Sequence, residues 1–429
     1  MLLNLPGWTI DRTEETARDL LIAVIPPTPD ITCQHCGHQS PYGHGSVTRH
    51  LADLPIRKKR VRLVFDQPRY RCRNEHCRRT FTLPLPEVDE SHNMTVRLRE
   101  HILEDIGPRP YSHIAEEVGL SEGTIRNLAA SAEQDRPTPE TPRVLGIDEL
   151  YLGRRHRCIL TNIEAGTVLD MLSGRTYRQL LAHISAMPER QRIELVTIDM
   201  HRPYLTVAQA ALRGATAIVD KYHVVSMANL ALDQVRIALR REMPDRTARI
   251  LMRSRFLLLR RLVSLSTNER MILETWLDQL PQLRHAHAAK EAFFEIYDTA
   301  TDAKTAGDQL AAWRESLNPN TARAFRELLT AAKNWEPHIL AYFDHRYTNA
   351  ATEAINGIAK LINKMGRGYS FRSIRTKILF TAGVRKQRLP IFSRTGWEDD
   401  RMGMVIAEPI ADYGADISTL RRMLEDGRL

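Results

Sequence analysis

The sequence has few of the features that mark secreted or membrane proteins. Its 429 residues include only five cysteines, and no apolar run approaches the roughly 20 residues of a membrane-spanning helix. The opening segment, MLLNLPGWTI, lacks the basic region and long apolar stretch of a signal peptide. We therefore expect a cytoplasmic protein with no membrane partner. With 43% hydrophobic residues, a chain of this length is expected to form about two to four domains.

Positive charge is concentrated in one part of the chain. The formal net charge is +9, and residues 49–79 hold 11 lysines and arginines against Asp53, Asp66 and Glu75, so the remainder is nearly balanced. A local positive field suits a phosphate backbone, and a plain solubility patch would have no reason to coincide with cysteines. The DNA-binding residues predicted here are Arg57, Lys58, Lys59, Arg60 and Arg62.

Four of the five cysteines form two short-spaced pairs, Cys33 with Cys36 and Cys72 with Cys77. Tetrahedral zinc takes four such ligands, and Gly37 permits the tight turn of a metal-binding knuckle. Disulfides are the alternative, but a cytoplasmic chain disfavours them. Three histidines are close enough to replace a cysteine: His35, His38 and His76. Alternating strands with basic outer faces lie between the pairs, so residues 1–90 are predicted to contain a zinc ribbon with structural Zn²⁺ that contacts DNA.

Residues 91–135 are predicted to form a helix-turn-helix. The segment VRLREHILEDI fits one helix, and YSHIAEEVGLSEGTIRNLAAS fits two more, joined by a turn at Gly119 and capped by Ser121. An ordinary helical hairpin is the alternative, and the neighbouring zinc ribbon favours DNA binding. The residues expected to face the groove are Thr124, Arg126 and Asn127. A Pro/Thr-rich linker, EQDRPTPETPR, then separates this region from the rest.

Acidic residues follow three short apolar segments after the linker. Asp148 follows a buried strand predicted at residues 144–147, and Asp199 and Asp220 end two similar segments. Because the carboxyl ends of neighbouring strands gather at one edge of a sheet, we expect these acids to lie together, with His223 close by. A single aspartate after a strand is more often a turn residue, so the prediction depends on the whole set.

A helix-rich segment separates these strands from the last acid of interest. Between residues 227 and 341, Leu and Ala are abundant and strand signals are few, so an all-helical insertion is predicted. Four residues are expected to lie in apolar cores: Trp276, Trp313, Trp335 and Cys158.

Glu353 lies within a segment, residues 349–377, in which every other charged residue is basic. On a helical projection the polar face holds Glu353, Asn356, Lys360 and Lys364, and the apolar face holds Ala354, Ile355, Ile358, Leu361 and Ile362. For an isolated stripe, a solvated helix face is the better interpretation. Together with the strand-end aspartates, however, the polar stripe predicts that Glu353 is a carboxylate ligand beside residues that contact phosphates. Those contacts would come from Lys360, Lys364, Arg367 and Arg372.

These motifs in this order resemble the DDE transposases of bacterial insertion sequences, specifically the insertion-sequence L-three family. The resemblance covers residues 33–388 and rests on CQHCGH, RYRCRNEHCRRTFT, GIDEL, TIDMHRPY, VDKYHV and NAATEAINGIAKLINKMGRGYSF. It implies a multidomain α/β protein whose ribonuclease-H-like catalytic domain, residues 136–226 and 342–390, is interrupted by the all-helical insertion. Ala354 departs from the family's usual glycine, and the resemblance does not include the C-terminal tail, residues 391–429, whose role stays open.

The resemblance also implies roles for the acids. Asp148, Asp199 and Glu353 match the catalytic triad, and Asp220 with His223 matches a signature whose histidine lies near the scissile phosphate. Converging carboxylates repel unless cations lie between them, and two Mg²⁺ ions suit in-line attack on a phosphodiester, with Mn²⁺ as a substitute. The expected function is cleavage and strand transfer at terminal inverted repeats and target DNA. A dimer on the nucleoid would carry it out.

Two other functions remain open at this stage. A non-catalytic zinc and helix-turn-helix regulator derived from a transposase would bind DNA without cutting it, but such proteins usually have a broken triad. A structure-specific nuclease on the same fold would not need to recognise a terminal repeat, so the two N-terminal DNA-binding modules argue against it.

Overall fold

The computed structural model describes residues 4–27, 31–39 and 41–383, so the tail predicted at residues 391–429 lies outside the described range. The described residues divide into two compact units, one formed by residues 4–138 and 359–381 and the other by residues 139–358 with 382–383. The sequence-based boundaries instead assign residues 342–390 to the catalytic domain. Among the described residues, no helix is long and apolar enough to span a membrane.

The first unit contains a seven-stranded sheet. Its strands are β1 (Thr9–Glu15), β2 (Asp19–Ile25), β3 (Tyr42–Ile56), β4 (Lys59–Arg71), β5 (Thr80–Thr82), β6 (Val88–Asp89) and β7 (Met94–Thr95). They are ordered β1-β2-β4-β3-β7-β6, with β5 pairing with β4. Along β4, buried Val61, Leu63 and Phe65 alternate with more exposed residues, as expected for a strand with one face on a core.

Three helices follow this sheet, and their ends are set by local capping. They are α1 (Val96–Asp105), α2 (Tyr111–Val118) and α3 (Glu122–Gln134). Gly119 ends α2 with a left-handed φ of 68°, and the Ser121 side chain accepts the N–H of Thr124 to cap α3. Ile114, Val118, Ile125 and Leu128 are buried in the shared core of this helical group. The predicted helices and caps are therefore present.

The second unit begins with a mixed five-stranded sheet. Its elements are β8 (Val144–Leu152), β9 (Arg155–Asn162), β10 (Thr167–Leu172), α4 (Tyr177–Ser185), β11 (Leu195–Ile198), α5 (Arg202–Ala211) and β12 (Thr216–Val219). The order is β10-β9-β8-β11-β12; the first three strands are antiparallel, and β11 is parallel to both β8 and β12. The prediction that β8 ends before Asp148 is wrong, because β8 keeps its pairing with β9 as far as Leu152.

The chain from the end of β12 to residue 382 is mostly helical. Its helices are α6 (Lys221–Arg241), α7 (Asp245–Arg253), α8 (Arg255–Leu259), α9 (Thr267–Gln279), α10 (Pro281–Thr299), α11 (Ala303–Ser316), α12 (Pro319–Ala324), α13 (Arg326–Asn334), α14 (Glu336–His345), α15 (Ala350–Met365) and α16 (Phe371–Ala382). Trp276, Trp313, Trp335 and Cys158 are all buried, as predicted. Helices α6–α14 share one core with the five-stranded sheet.

Helix α15 corrects part of the projected pattern. Ile355 and Ile362 are buried as expected, but Leu361, assigned to the apolar face, is 54% exposed. Asn356, assigned to the polar face, is only 6% exposed. The reason is a tertiary contact, because the Asn356 amide donates a hydrogen bond to the buried Asp148 on β8.

Helix α16 packs with the helices of the first unit. The buried Lys377 ammonium donates hydrogen bonds to the carbonyls of Ile106 and Arg109, and burial lowers the pKa of Lys377 to about 8. The Tyr369 hydroxyl accepts the N–H of Tyr111 at 2.8 Å. These contacts explain why residues 359–381 group with the first unit.

Candidate functional site

The strand register aligns three aspartates at one edge of the five-stranded sheet. The last residues of the parallel register pair across the three strands: Ile147, Ile198 and Val219. The next residue on each strand is an aspartate, Asp148, Asp199 or Asp220. The prediction that these acids collect at one edge is confirmed, even though β8 itself continues past Asp148.

Asp148 is held in a buried and electrostatically unfavourable position. Its side chain accepts hydrogen bonds from Asn356 Nδ2 at 2.7 Å and from the Glu149 N–H at 2.6 Å. Burial raises the pKa of Asp148 to about 8, with further contributions from the nearby Asp199 and, to a smaller extent, from Glu353. The ionised form of this carboxyl group is therefore disfavoured unless a cation lies close by.

His223 lies among these acids. Its Nε2 is 2.8 Å from Asp199 Oδ1, and this close contact with the carboxylate raises the pKa of His223 to about 9. Asp220 is fully buried, and its Oδ1 accepts the N–H of Asn349 at 3.2 Å. Burial raises the pKa of Asp220 to about 7, and its Oδ2 has no hydrogen-bond partner among the described residues. A protonated His223 offsets part of the negative charge of the cluster.

A row of buried polar side chains docks α15 and the residue before it onto the sheet. Asn349, Thr352 and Asn356 are spaced by three and four positions and therefore share a helix face. Asn349 Oδ1 accepts a hydrogen bond from Thr197 Oγ1 at 2.5 Å, and the hydroxyls of Thr352 and Thr161 are 2.7 Å apart. The sequence interpretation missed these positioning residues. Their signal was an N-x2-T-x3-N spacing that brackets Glu353.

The candidate metal ligands fall into two overlapping groups. One contains Asp148, Asp199 and His223, and the other contains Asp220, His223 and Glu353. Within each group the candidate ligand atoms lie within 4.8 Å of one another. The structure thus brings Asp148 and Asp199 together and places Glu353 with Asp220 and His223, on an exposed helix position.

The four cysteines of the N-terminal region form a separate cluster. Cys36 and Cys72 have their sulfurs 3.5 Å apart, and those of Cys33 and Cys77 are 3.9 Å apart. All four sulfurs lie within 4.8 Å of one another, and no histidine belongs to this group in the described part of the chain. Gly37, with φ of 71°, allows the first knuckle to turn. Four converging thiols are the donor set of a structural zinc site.

The basic residues predicted to bind DNA differ in their surroundings. Arg57 and Lys58 occupy the exposed β3–β4 turn. Glu15 forms ion pairs with both Lys59, at 2.7 Å, and Arg57, at 3.5 Å. Arg60 binds both carboxylate oxygens of Asp19, at 2.6 and 2.8 Å. Several of these charges therefore already have partners inside the fold. Arg62 likewise donates to a carbonyl, that of Gly119.

The predicted contacts on the helices are mostly exposed. Thr124 is half-buried and close to Ser121, and Arg126 forms an exposed ion pair with Glu122. Also exposed are Asn127, Lys360, Lys364, Arg372 and, between α15 and α16, Arg367. Their role in binding DNA stays a prediction.

The carboxylate edge and the cysteine cluster correspond to two matched family models. The chain belongs to the ISL3 family of DDE transposases, because the family model, described as a transposase, matches residues 145–378. A second model, the zinc finger of the transposases IS204/IS1001/IS1096/IS1165, matches residues 29–77. These matches confirm the family resemblance and the zinc ribbon, and they do not favour the non-catalytic regulator.

A relative of nearly equal length supports this assignment. The chain is 25% identical over 389 residues to the transposase for insertion sequence element IS1001 of Bordetella parapertussis. The aligned segment covers 86% of this chain and 94% of that protein. The similarity therefore extends over the N-terminal, sheet and helical regions together.

Proposed function

We propose that this transposase uses Asp148, Asp199 and Glu353 to bind two Mg²⁺ ions, and that it cuts and joins DNA at insertion-sequence ends. The observation that carries the proposal is the alignment of the aspartates at one sheet edge, with α15 docked beside them. An antiparallel β8–β10 meander followed by parallel β11 and β12 supports a ribonuclease-H-like fold for this region.

The donor set fits divalent cations with a preference for oxygen. Carboxylates dominate both ligand groups, and hard oxygen ligands suit Mg²⁺, with Mn²⁺ as a substitute. Burial and the neighbouring Asp199 raise the pKa of Asp148, and Oδ2 of buried Asp220 has no hydrogen-bond partner among the described residues; a bound cation would stabilise both carboxylates. When bound, the ions would activate the attacking oxygen and stabilise charge on the scissile phosphodiester.

The chain's own residues hold the ligands in place for this chemistry. Asn356 orients Asp148 through its 2.7 Å hydrogen bond, and the Thr352–Thr161 contact keeps the first turns of α15 against β9. His223 forms an ion pair with Asp199 and adds positive charge where a phosphate would approach. Such preorganised groups reduce the reorganisation that the reaction requires.

The N-terminal region would supply recognition of the DNA ends. The zinc ribbon contributes exposed Arg57 and Lys58, and α2 with α3 is consistent with a helix-turn-helix whose Arg126 and Asn127 face a groove. Lys360, Lys364, Arg367 and Arg372 would hold the backbone beyond Glu353. Bringing two ends together implies at least a dimer on the DNA, in the nucleoid.

The test is transfer of a labelled transposon end into plasmid DNA. The wild-type protein should give joined products with Mg²⁺, whereas Asp148→Asn and Glu353→Gln should give none and still bind the end. Asp308→Asn, an exposed acid on α11, is the matched control and should join normally. Full joining by Asp148→Asn or Glu353→Gln would reject the assignment, and cuts without joining would indicate a nuclease.

A further inference from the structure

A second concentration of positive charge lies in the helical insertion. Residues 236–261 contain nine arginines and only two acids, Glu242 and Asp245. The net charge outside the zinc ribbon is nearly zero because acids elsewhere in the chain offset the positive charge of this segment, so the total does not show it. Such a density of one sign within a single stretch of helices requires an explanation beyond solubility.

Four of these arginines are part of the internal structure of the insertion. Arg236 and Arg255 pair with Asp233, Arg260 pairs with Glu269, and Arg261 pairs with Glu291 and Asp298. The other five form no salt bridge within the part of the chain that the structure describes: Arg240, Arg241, Arg246, Arg249 and Arg253. The second set is therefore available to an external anion.

Three of these available arginines lie on one face of α7. Arg246, Arg249 and Arg253 are exposed and spaced by three and four positions, so they project on the same side of the helix. Leu251 is fully buried and anchors the opposite side. The result is a fixed cationic row, since the helix that carries it is anchored in the core.

Exposed apolar side chains accompany this row. Ile250 is 50% exposed, Met252 is 46% exposed, and Phe256 at the start of α8 is 69% exposed. An apolar face alone would suit a second copy of the chain. In a symmetric dimer, however, the same face would meet itself and bring arginines against arginines, which is unfavourable. A polyanion with apolar edges fits both features, and DNA has phosphates for arginine and sugars and bases for apolar contact.

We propose that the α7 row, defined as Arg246, Arg249 and Arg253 with Phe256 beside it, is a further DNA-binding surface. It contacts the duplex backbone without reading sequence, in addition to the recognition assigned to the N-terminal region. The occupant is double-stranded DNA already engaged by the transposase, so the inference rests on the proposed function. Phosphate contacts of this kind add affinity that declines with salt.

The experiment measures binding of a random-sequence duplex to the full-length chain over a series of salt concentrations. The variant combines Arg246→Gln, Arg249→Gln and Arg253→Gln. If all three contact phosphates, the slope of log affinity against log salt should fall by about 2 to 3, at about 0.9 per lost contact, and affinity should drop at least about tenfold at low salt. An unchanged thermal melting curve would show that the variant folds.

The matched control removes the same charge elsewhere in the insertion, with Arg323→Gln, Arg326→Gln and Lys333→Gln, all exposed. It should keep a slope close to that of the wild-type protein. Equal loss in both variants, or no loss in the α7 variant, would overturn the proposal. Binding is measured in the Asp148→Asn background as well. A failure of the catalytic assignment would change the joining assay but leave the α7 effect intact, so the two outcomes are distinguishable.

Discussion

The cysteine cluster and the carboxylate cluster both bring together side chains that repel one another as anions, but they are built from different parts of the chain. Each gathers acidic or potentially anionic side chains that repel unless a cation lies among them. The cysteines span only residues 33–77, and each pair lies in its own short turn. The carboxylates come from β8, the ends of β11 and β12, and helix α15, and Glu353 lies 205 positions after Asp148. Ligands that are local in sequence define a site that spacing can predict, whereas distant ligands require the fold.

The two clusters also differ in how complete their ligand sets are. Four sulfurs that lie within 4.8 Å of one another fill the tetrahedral shell of zinc. The acids instead form two groups that share His223, so neither group alone has four protein ligands. A closed set suits a structural metal, and an incomplete set leaves positions for water and phosphate. Substitutions in the two clusters should therefore have different consequences, a loss of stability at the cysteines and a loss of chemistry at the carboxylates.

Cys72→Ser should cause the largest loss of stability. Structural zinc provides folding free energy, about 10–16 kcal/mol in zinc-finger peptides, and a hydroxyl is a poor replacement for a thiolate ligand. We expect zinc content to fall well below about one ion per chain and the first unit to melt at a lower temperature. Metal analysis and calorimetry of the purified variant measure both effects.

The control for the cysteine prediction is Cys158→Ala. Cys158 is fully buried in the core of the second unit and lies outside the zinc group. Its replacement should keep the zinc and cost roughly 1 to 2 kcal/mol of stability through lost packing. Normal zinc content in Cys72→Ser would contradict a closed four-cysteine site.

Asn356→Ala should affect chemistry more than stability. The amide holds Asp148 at 2.7 Å, and loss of a group that orients a metal ligand typically costs about 10- to 100-fold in metal affinity or activity. We expect slower strand transfer and a higher Mg²⁺ concentration for half-maximal rate. Isothermal titration with Mn²⁺ gives a second reading that does not depend on turnover.

A residue on the same helix provides the comparison. Asn363→Ala removes a half-buried amide two turns later, in the part of α15 that groups with the first unit. It should leave the metal dependence unchanged. An equal shift of the Mg²⁺ requirement in both variants would contradict this prediction. It would mean that Asn356 matters for the stability of α15 and that its hydrogen bond to Asp148 has no specific effect.

Features that depend on neighbouring residues were predictable from sequence. The cysteine pairs, the Ser121 cap, the Gly119 turn and the strand-end aspartates follow from spacing and local backbone preferences. Features that depend on distant partners were not. The extent of β8 is decided by its pairing with β9, and the burial of Asn356 is decided by an aspartate 208 positions earlier.

Which basic residues are available to DNA could not be predicted from the sequence either. The DNA contacts predicted among residues 57–62 rested on charge density beside the cysteines. Lys59 and Arg60, however, form ion pairs with Glu15 on β1 and Asp19 on β2. Sequence composition cannot distinguish a paired cation from an available one. The arginines of α7 are the opposite case. They form no salt bridge among the described residues, but the net charge of the whole chain did not reveal them.

Gly146→Ala should give the smallest effect of the series, and it tests the docking of α15 directly. A Cβ at Gly146 would lie 2.3 Å from Thr161 Oγ1 and 2.9 Å from Thr352 Oγ1, so the hydroxyl pair that joins α15 to β9 would have to move. Overpacking of this kind costs roughly 1 to 3 kcal/mol, and thermal melting should detect it. Gly307→Ala is the control, because its Cβ would meet only Leu340 at 3.5 Å and should stabilise α11 by about 0.5 to 1 kcal/mol. If the Gly146 variant loses strand transfer out of proportion to its stability, the position of α15, and with it Glu353, limits the reaction; proportionate losses would mean that the glycine serves packing alone.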